Sequence, residues 1–393
     1  MRRAAFALRF GDLNPLFSGN LRSDSRVLLM RDVRERVEAL APFLTFDRDP
    51  YPVVVDGRIQ WIIDAYTTSS RYPYGQRAVV DGLDGSGLNR RFNYIRNPVK
   101  AVVDAYDGTV TFYVVDDSDP IIRAWRNAFP DLFAAGAPPD ELAAHFRYPE
   151  DMFRVQTNMW GRYRVTDADD FFNRVGAWAV ARDPETPEQP AATGATTTTN
   201  VNSSPTEQDR IDPYYLLTSL PGQEEEEFVQ LRPFTPIQGD AKPVLTGFLT
   251  ASSDGELISY ETPPTSQVDG PSLVAGQIRS FEAVSEDQTQ LCRAGSGSTC
   301  QFGNLVFVPI EQGIIYVQPL YITAEGSRFP VLRKVIVEFN GDVGYADTLR
   351  DALLQIFDDV PETLEDDSGA PPDDGQGGEE QPEEDPAALL DRA

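Results

Sequence analysis

Residues 61–76, WIIDAYTTSSRYPYGQ, concentrate side-chain types that often hold a ligand. Aromatic rings with apolar faces and hydroxyl tips suit the binding of a sugar or a peptide, and charged neighbours would add polar contacts. The candidate ligand-binding residues are Trp61, Asp64, Tyr66, Arg71, Tyr72 and Tyr74. A structural interpretation is the alternative: the loop packs over its own sheet, with Trp61 and at least one of Tyr72 and Tyr74 facing inward. Arg71 would then stack on a ring or pair with Asp64.

Patterns that indicate catalysis are scarce in this chain. The single histidine, His145, lies in the final turn of a short predicted helix, where a cation interacts favourably with the helix dipole. The sequence contains no GxSxG nucleophile elbow, no phosphate-binding glycine loop and no HExxH zinc motif. A glycosidase-type carboxylate pair cannot be chosen among 62 acidic residues without a cleft to place it. We therefore predict no catalytic residues and favour a non-enzymatic role.

Two acidic stretches resemble cation sites only weakly. DGLDGSGLN, which contains Asp81 and Asp84, is rich in glycine like a calcium loop, but it lacks the alternate spacing of ligands and a closing glutamate. DDSD offers Asp116 and Asp117, whereas Asp119 is better placed as the N-cap of a helix. The sequence predicts no cofactor and no metal, with calcium at either stretch as the alternative.

The two cysteines, Cys292 and Cys300, border a short Gly/Ser-rich loop, CRAGSGSTC. A flexible loop between close cysteines favours a disulfide, and stable disulfides form in oxidising compartments. Two separate reduced thiols are the alternative. A zinc site is not expected, because the sequence offers neither a second cysteine pair nor a histidine pair to complete four ligands.

The charge of the 393-residue chain restricts its partners. Its net charge is −28, from 62 acidic and 34 basic residues. Nucleic acid is excluded because phosphate binding needs a basic stripe, and cationic partners are favoured instead. No apolar run approaches the ~18 residues of a membrane span. The N-terminal sequence MRRAAFALRFGDL is interrupted by charges and is a poor signal peptide.

Composition divides the chain into four parts. Residues 1–182 form an α+β module, and residues 183–210 form a Thr/Pro/Ser-rich linker or disordered insertion. That segment contains one large apolar residue, Val201, so it cannot bury enough surface to offset its ordering entropy. Residues 211–357 form a β-rich module that ends in a helix. Residues 358–393 form an acidic tail that we expect to be disordered.

The secondary structure that positions these residues is a mixture of antiparallel hairpins and short helices. Asp-Gly turns at 56–57 and 107–108 each join two β-rich runs, which predicts two hairpins in one antiparallel sheet. Asp119, Thr166 and Thr348 are predicted to cap helices. The helix that Thr348 caps is the only one predicted in the second module. The predicted fold class is α+β.

Several long stretches resemble a known family. YPVVVDGRIQWIIDAYTTSSRYPYGQ is similar to the hallmark of uncharacterised protein family 0182, a group of large bacterial multi-pass membrane proteins. NYIRNPVKAVVDAYDGTVTFYVVDDSDPIIRAW, YYLLTSLPGQEEEEFVQLRPFTP and GNLVFVPIEQGIIYVQPLYITAEG resemble later blocks of the family in the same order. The acidic tail, the Thr-rich linker and the cysteine loop lie outside this resemblance.

The resemblance implies a location and a partner. Members have an N-terminal block of membrane spans followed by a large extracellular domain, so this chain would be the later part of that extracellular region. Its partners would be the membrane-spanning part, which this chain lacks, and components of the cell envelope. The resemblance transfers no activity and no catalytic residue.

The expected function is binding or scaffolding of cell-envelope components, whether glycan, peptide or protein. A carboxylate-dependent hydrolase acting on envelope polymers is one alternative. An accessory domain of an envelope lipid or glycolipid transporter is the other.

Overall fold

The computed structural model describes residues 2–19, 21–22, 25, 30–78, 83, 86–88, 91–186, 210–223, 225–237, 244–263, 267–292, 297–310, 313–324, 326–327, 329–358 and 360. Asp81, Asp84, most of the predicted linker and nearly all of the predicted acidic tail lie outside these residues. Within them the fold is α+β, as predicted, and the strands form three antiparallel sheets of five strands each.

The first sheet is built from the two predicted hairpins, which confirms that both belong to one sheet. Asp56 and Gly57 have positive φ angles of 51° and 70°, the backbone of a tight two-residue turn. The second turn is longer, and within it only Gly108 takes a positive φ, of 72°. The strands are β1 (Thr45–Phe46), β2 (Tyr51–Val55), β3 (Arg58–Ser69), β4 (Tyr94–Asp104) and β5 (Val110–Val114), in the order β1-β3-β4-β5, with β2 paired to β3.

Two helices cover one face of this sheet, α3 (Val33–Leu40) and α4 (Pro120–Ala128). The Asp119 carboxylate accepts hydrogen bonds from the first backbone N–H groups of α4, which confirms its predicted role as N-cap. The buried apolar side chains between the helices and the sheet are Val37, Ala41, Ile63, Ala65, Val99, Ala101, Val103, Phe112 and Ile122. The first sheet thus has one face packed by its own helices.

The second sheet draws its strands from both sides of the predicted linker. Strand β6 (Trp178–Val180) precedes the linker but pairs with β8 (Glu226–Pro236), which follows it. The remaining strands are β7 (Tyr214–Ser219), β9 (Gly247–Ser252) and β10 (Leu257–Glu261). The long helix α6 (Glu150–Tyr163) packs on β6 and β8.

The third sheet shares its core with the second. It contains β11 (Ser298–Phe302), β12 (Val306–Ile310), β13 (Gly313–Ala324), β14 (Val331–Phe339) and β15 (Asp342–Ala346). Helix α10 (Leu349–Leu353) is capped by Thr348, whose hydroxyl accepts a hydrogen bond from Asp351 N at 3.1 Å, as predicted. Cys292 and Cys300 form the predicted disulfide and join the end of the helix over Glu282–Leu291 to β11.

Two helices of the second module were not predicted, α8 (Pro271–Ser280) and α9 (Glu282–Leu291). The prediction that α10 is the only helix there is wrong. Neither α8 nor α9 has a side-chain N-cap, so the strongest local start signal is missing. The formation of α8 depends on burial of its Val274, Ala275 and Ile278 side chains between the second and third sheets.

The remaining helices are α1 (Arg2–Phe10), α2 (Asn14–Phe17), α5 (Asp140–Ala143) and α7 (Ala168–Asn173). The predicted capping box at Thr166 is wrong by one residue, because the Asp167 carboxylate accepts the hydrogen bonds from Asp169 N and Asp170 N. No helix among the described residues combines the length and apolar character that crossing a bilayer requires.

Candidate functional site

Helix α6 lies between the first and second sheets and contributes to both cores. Phe153 on one side packs with Trp178 and Phe234 of the second sheet. Val155 on the other side packs with Tyr66 and Phe92 of the first module. Gly161 permits this close approach, since a Cβ atom there would lie 2.3 Å from the carbonyl oxygen of Trp178.

An apolar cavity of about 540 Å³ lies beside this helix, between the first and second sheets. One wall is the C-terminal half of α6, a second is the start of β4 with the loop before it, and a third is formed by β9 and β10. The described lining residues are Gln76, Ala78, Phe92, Asn93, Ile95, Val155, Gln156, Met159, Trp160, Tyr163, Leu249, Leu257 and Ser259.

The side chain of Asn93 fixes the loop wall of the cavity. Its amide nitrogen donates to the carbonyl oxygens of Tyr72 at 2.7 Å and Gly75 at 3.1 Å, and its oxygen accepts from Tyr72 N at 3.0 Å. Ala78 N then donates to Phe92 O at 2.8 Å. These bonds hold the Tyr-Pro-Tyr loop beside β4, so that Gln76 and Ala78 face the cavity.

The polar groups of the lining are few, and most of them are hydrogen-bonded to other protein groups. Tyr163 donates its hydroxyl hydrogen to Gln76 Oε1, and Gln156 Oε1 accepts one from Tyr148 at 2.6 Å. Ser259 Oγ on β10 is buried and has no hydrogen-bond partner among the described residues. No carboxylate lines the described walls. The cavity is therefore suited to an apolar group with a small number of polar contacts.

A buried carboxylate cluster holds the N-terminal end of the same helix. Asp47, which follows β1, accepts hydrogen bonds from the Tyr66 hydroxyl and from Asp151 N at 3.1 Å. Arg48 N donates to Asp151 Oδ2 at 2.9 Å. The side chains of Asp47 and Asp151 are 1% and 0% exposed. Helix α6 is thereby tied to β1 and β3 by polar contacts inside the core.

Burial in this cluster favours protonated carboxyl groups. Loss of solvation, together with the nearby Asp151 and Asp64 carboxylates, raises the pKa of Asp47 to about 8. Burial likewise raises the pKa of Glu150 to about 7, and it raises the pKa of Asp151 above its usual range. A protonated Asp47 can sit beside the Asp151 carboxylate without the repulsion of two like charges.

Basic side chains balance the rest of the cluster. Lys100 on β4 forms an ion pair with Asp64 on β3, and both side chains are at least 94% shielded from solvent. Lys100 Nζ also donates to the carbonyl oxygen of Arg147 at 2.9 Å. Arg154 on α6 pairs with Glu150 at 3.0 Å and with Asp212 at 2.5 Å. The Arg154–Asp212 pair crosses from the first module to the start of the second.

Arg147 forms a second polar link between the modules. Its guanidinium lies 3.8 Å from the ring centroid of Tyr51 and 4.3 Å from that of Tyr215, so it is sandwiched between β2 and β7. Tyr215 also donates its hydroxyl hydrogen to the carbonyl oxygen of Tyr148 at 2.7 Å. Together with the Arg154–Asp212 pair, these contacts hold the first and second sheets together.

Comparison with known proteins identifies the family. The sequence profile of the Uncharacterised protein family (UPF0182) matches residues 1–291. The chain belongs to UPF0182. No solved structure gives a significant match to it.

Curated UPF0182 proteins resemble the chain over most of its length. A UPF0182 protein of Micrococcus luteus is 40% identical over 388 residues, covering 91% of this chain and 34% of the relative. One from Streptomyces coelicolor is 37% identical, with 97% and 37% covered, and one from Corynebacterium glutamicum is 39% identical, with 92% and 36% covered. The chain spans about a third of the length of these UPF0182 relatives.

The six candidate residues of this UPF0182 chain are not brought together. Trp61 packs against the core between the first sheet and its helices, whereas Asp64 and Tyr66 point to the opposite face of β3. Asp64 pairs with Lys100, so the proposed pairing with Arg71 is wrong. Arg71 is exposed. The candidates therefore contribute to two cores and a surface loop instead of one groove.

The expectation that Tyr72 or Tyr74 packs inward is also wrong. Tyr72 is 57% exposed and stacks on Tyr94 with ring centroids 6.0 Å apart, and Tyr74 is fully exposed. Tyr74 has a positive φ of 58°, which turns its side chain away from the sheet. The loop contributes to the cavity wall through its backbone, which is hydrogen-bonded to the Asn93 side chain. The rings of Tyr72 and Tyr74 do not line the cavity.

Of the two weak calcium candidates that the structure describes, Asp116 has a protein partner. Asp116 accepts hydrogen bonds from Ser118 N at 3.0 Å and from the Ser118 hydroxyl at 2.6 Å, and Asp117 is exposed. Among the described residues, no group of three or more His, Cys, Asp or Glu side chains is arranged to hold a metal ion.

Sequence reasoning missed both the cavity and the carboxylate cluster. A signal for the cluster was present: Lys100 interrupts the apolar strand β4, and a charge inside a buried strand needs a partner. No comparable signal marks the cavity, because its walls come from three separate segments of ordinary composition.

Proposed function

We propose that this chain is a non-enzymatic binding domain whose cavity takes up the apolar chain of an amphiphilic molecule. The observation that carries the proposal is the cavity of about 540 Å³ with its predominantly apolar lining. Small-molecule sites are typically concave and apolar, with volumes of about 300 to 1,000 Å³ and a few polar groups. Trp160, Leu257 and Tyr163 are 36%, 40% and 45% exposed at the cavity, and a bound chain would cover them.

A glycan or an extended peptide suits this lining less well than an apolar chain does. Each hydroxyl or backbone group of such a ligand needs a hydrogen-bond partner once it leaves water. The side-chain amide of Asn93 is already hydrogen-bonded to the Tyr-Pro-Tyr loop, and Gln76 accepts a hydrogen bond from Tyr163. Ser259 Oγ is the buried lining group that lacks a partner among the described residues, so it is available for one polar contact.

The hydrolase alternative needs two carboxyl groups that face a shared cleft. Asp47 and Asp151 meet inside the core, at no more than 1% exposure, where a polymer does not reach them. Their hydrogen bonds to Tyr66 and to backbone N–H groups give them a structural task. The geometry therefore favours binding over hydrolysis.

The proposed setting is the extracellular region of a membrane protein of the cell envelope, where a lipid would supply the apolar chain. The Cys292–Cys300 disulfide supports an oxidising compartment. The chain also covers about a third of its relatives, whose remaining length leaves room for other segments. Alkylation of thiols in intact host cells tests this setting: Cys292 and Cys300 should resist alkylation until a reductant is added, and free thiols would contradict it.

Titration calorimetry with dodecyl maltoside, below its micelle-forming concentration, tests binding itself. We expect saturable binding that strengthens with chain length across the octyl to dodecyl maltosides, by up to about fourfold per methylene group. Leu257→Gln places an amide at the cavity and should weaken binding severalfold.

Leu354→Gln is the matched control, because Leu354 is 41% exposed, like Leu257, but does not line the cavity. It should leave the affinity unchanged. Absence of saturable binding, or equal loss in both variants, would contradict the proposed function.

A second candidate is an accessory domain of a lipid or glycolipid transporter. The exposed cavity residues Trp160 and Leu257 favour it, because a ligand could enter from solvent and leave again. Full-length protein in donor vesicles should then accelerate lipid transfer to acceptor vesicles. Lipid binding without transfer would leave simple binding as the function.

A further inference from the structure

Two arginines flank residues of the cavity wall. Arg77 lies between Gln76 and Ala78, both of which line the cavity, and its own side chain is exposed. Arg91 precedes the lining residue Phe92 and is also exposed. Each arginine is therefore exposed and adjacent in the chain to residues of the cavity wall, within reach of a long side chain.

One backbone and one side-chain hydrogen bond hold the segments that contain the two arginines beside each other. Ala78 N donates to Phe92 O at 2.8 Å, and Asn93 Nδ2 donates to Gly75 O at 3.1 Å. The chain segments that contain Arg77 and Arg91 consequently run antiparallel beside each other. Neither guanidinium forms an ion pair with a carboxylate in the described part of the chain, so both are available to an anion.

The surrounding segment is basic in an otherwise acidic protein. Residues 70–96 contain five arginines, two aspartates, no lysine and no glutamate, a net charge of +3, whereas the whole chain carries −28. A local positive charge beside an apolar cavity attracts an anionic group against the overall repulsion of the protein. Guanidinium groups also match the geometry of carboxylate and phosphate oxygens, which they bind through paired hydrogen bonds.

We propose that the cavity binds an anionic amphiphile, with its apolar chain inside and its carboxylate or phosphate head on Arg77 and Arg91. This inference rests on the proposed function, since it assigns the head group of a ligand whose chain occupies the cavity. The proposed anionic ligand differs from the expectation based on the net charge of the whole chain, which by itself favours cationic partners.

Four dodecyl ligands that share one chain and differ in the head test the proposal: dodecanoate, dodecyl phosphate, dodecyl maltoside and dodecyltrimethylammonium. At low ionic strength, below micelle-forming concentrations, we expect the anionic ligands to bind about tenfold tighter than the maltoside, because their hydrogen bonds are charge-assisted. The difference should shrink as salt is added. The carboxylate and phosphate ligands distinguish a fatty acid from a phospholipid as the source of the head.

The double variant Arg77→Gln/Arg91→Gln should abolish the preference for anionic heads while maltoside binding persists. Arg126→Gln, on helix α4 and outside the cavity lining, removes a positive charge as a control and should keep the preference. Equal affinity for anionic and neutral heads, or tighter binding of the cationic ligand, would overturn the head-group assignment and leave the proposed function intact. Failure of all four ligands to bind would overturn both.

Discussion

Tyr66 on β3 donates its hydroxyl hydrogen to the carboxylate of Asp47, and both side chains are closed off from solvent. Asp47 in turn accepts a hydrogen bond from Asp151 N at the start of α6. Tyr66 also packs on Val155, a residue of the cavity wall. The buried polar contact and the apolar cavity are therefore parts of one arrangement around α6, and changes in the cluster should alter both stability and ligand affinity.

Stability should fall as pH rises through the neutral range. The pKa values of Asp47 and Glu150 are raised to about 8 and about 7, whereas in the unfolded chain both groups titrate near pH 4. Between about pH 4 and about pH 8 the folded protein holds more protons than the unfolded chain. The free energy of unfolding therefore decreases as the pH increases. The urea midpoint should therefore be lower at about pH 8.5 than at about pH 5.5.

Asp47→Asn isolates the contribution of Asp47 to this trend. The amide oxygen can still accept from Tyr66 but does not ionise, so the difference between the two urea midpoints should become smaller. An unchanged difference would show that Asp47 does not carry the pH dependence.

Lys100→Met should strongly destabilise the protein. It leaves the Asp64 carboxylate buried without its cation, and breaking a buried pair in this way typically costs about 3 to 5 kcal/mol. The double variant Asp64→Asn/Lys100→Met should recover part of this loss, which urea unfolding of the wild type and these two variants measures. Lys334→Met is a surface control, since its partner Asp347 is 68% exposed, and it should cost less than about 1 kcal/mol. Equal costs for the two lysine variants would contradict the prediction.

Gly161→Ala should lower stability and ligand affinity together. The added methyl group would meet the carbonyl oxygen of Trp178 at 2.3 Å, so α6 must move away from β6 at a cost of about 1 to 3 kcal/mol. Gly276→Ala in α8 is the matched control, because its Cβ atom would meet nothing within 4 Å. That variant should gain about 0.5 to 1 kcal/mol from helix propensity. Thermal unfolding of both variants provides the comparison, and tolerance of alanine at Gly161 would be the contrary result.

Loss of the disulfide should destabilise the second module without weakening ligand binding. Cys292→Ser/Cys300→Ser opens a loop with a sequence separation of 8, for which chain entropy predicts a loss of about 2 to 3 kcal/mol. Reductant should shift the unfolding midpoint of the wild type in the same direction and leave the double variant unaffected. A response of the double variant to reductant would show that the shift has another origin.

The sequence by itself determined features that depend on neighbouring residues. The Asp56-Gly57 turn follows from the ease with which these residues adopt positive φ, and Asp119 and Thr348 cap helices because their oxygens reach the next backbone N–H groups. The disulfide between Cys292 and Cys300 likewise joins residues that are close in the chain. The α+β class followed from the same local patterns, as did the resemblance to the family.

Only the tertiary structure decided which of these elements form a site. Asp47 and Asp151 are 104 positions apart, and the cavity combines the loop before β4 with α6, β9 and β10. Helix α8, which lacks a side-chain cap, forms because two sheets bury its apolar face. Such contacts depend on how separate elements pack, and packing energies are set by the partner surface as much as by the residue itself. The order of residues therefore specified the turns and caps, whereas the pairing of distant surfaces created the cavity and the buried carboxylates.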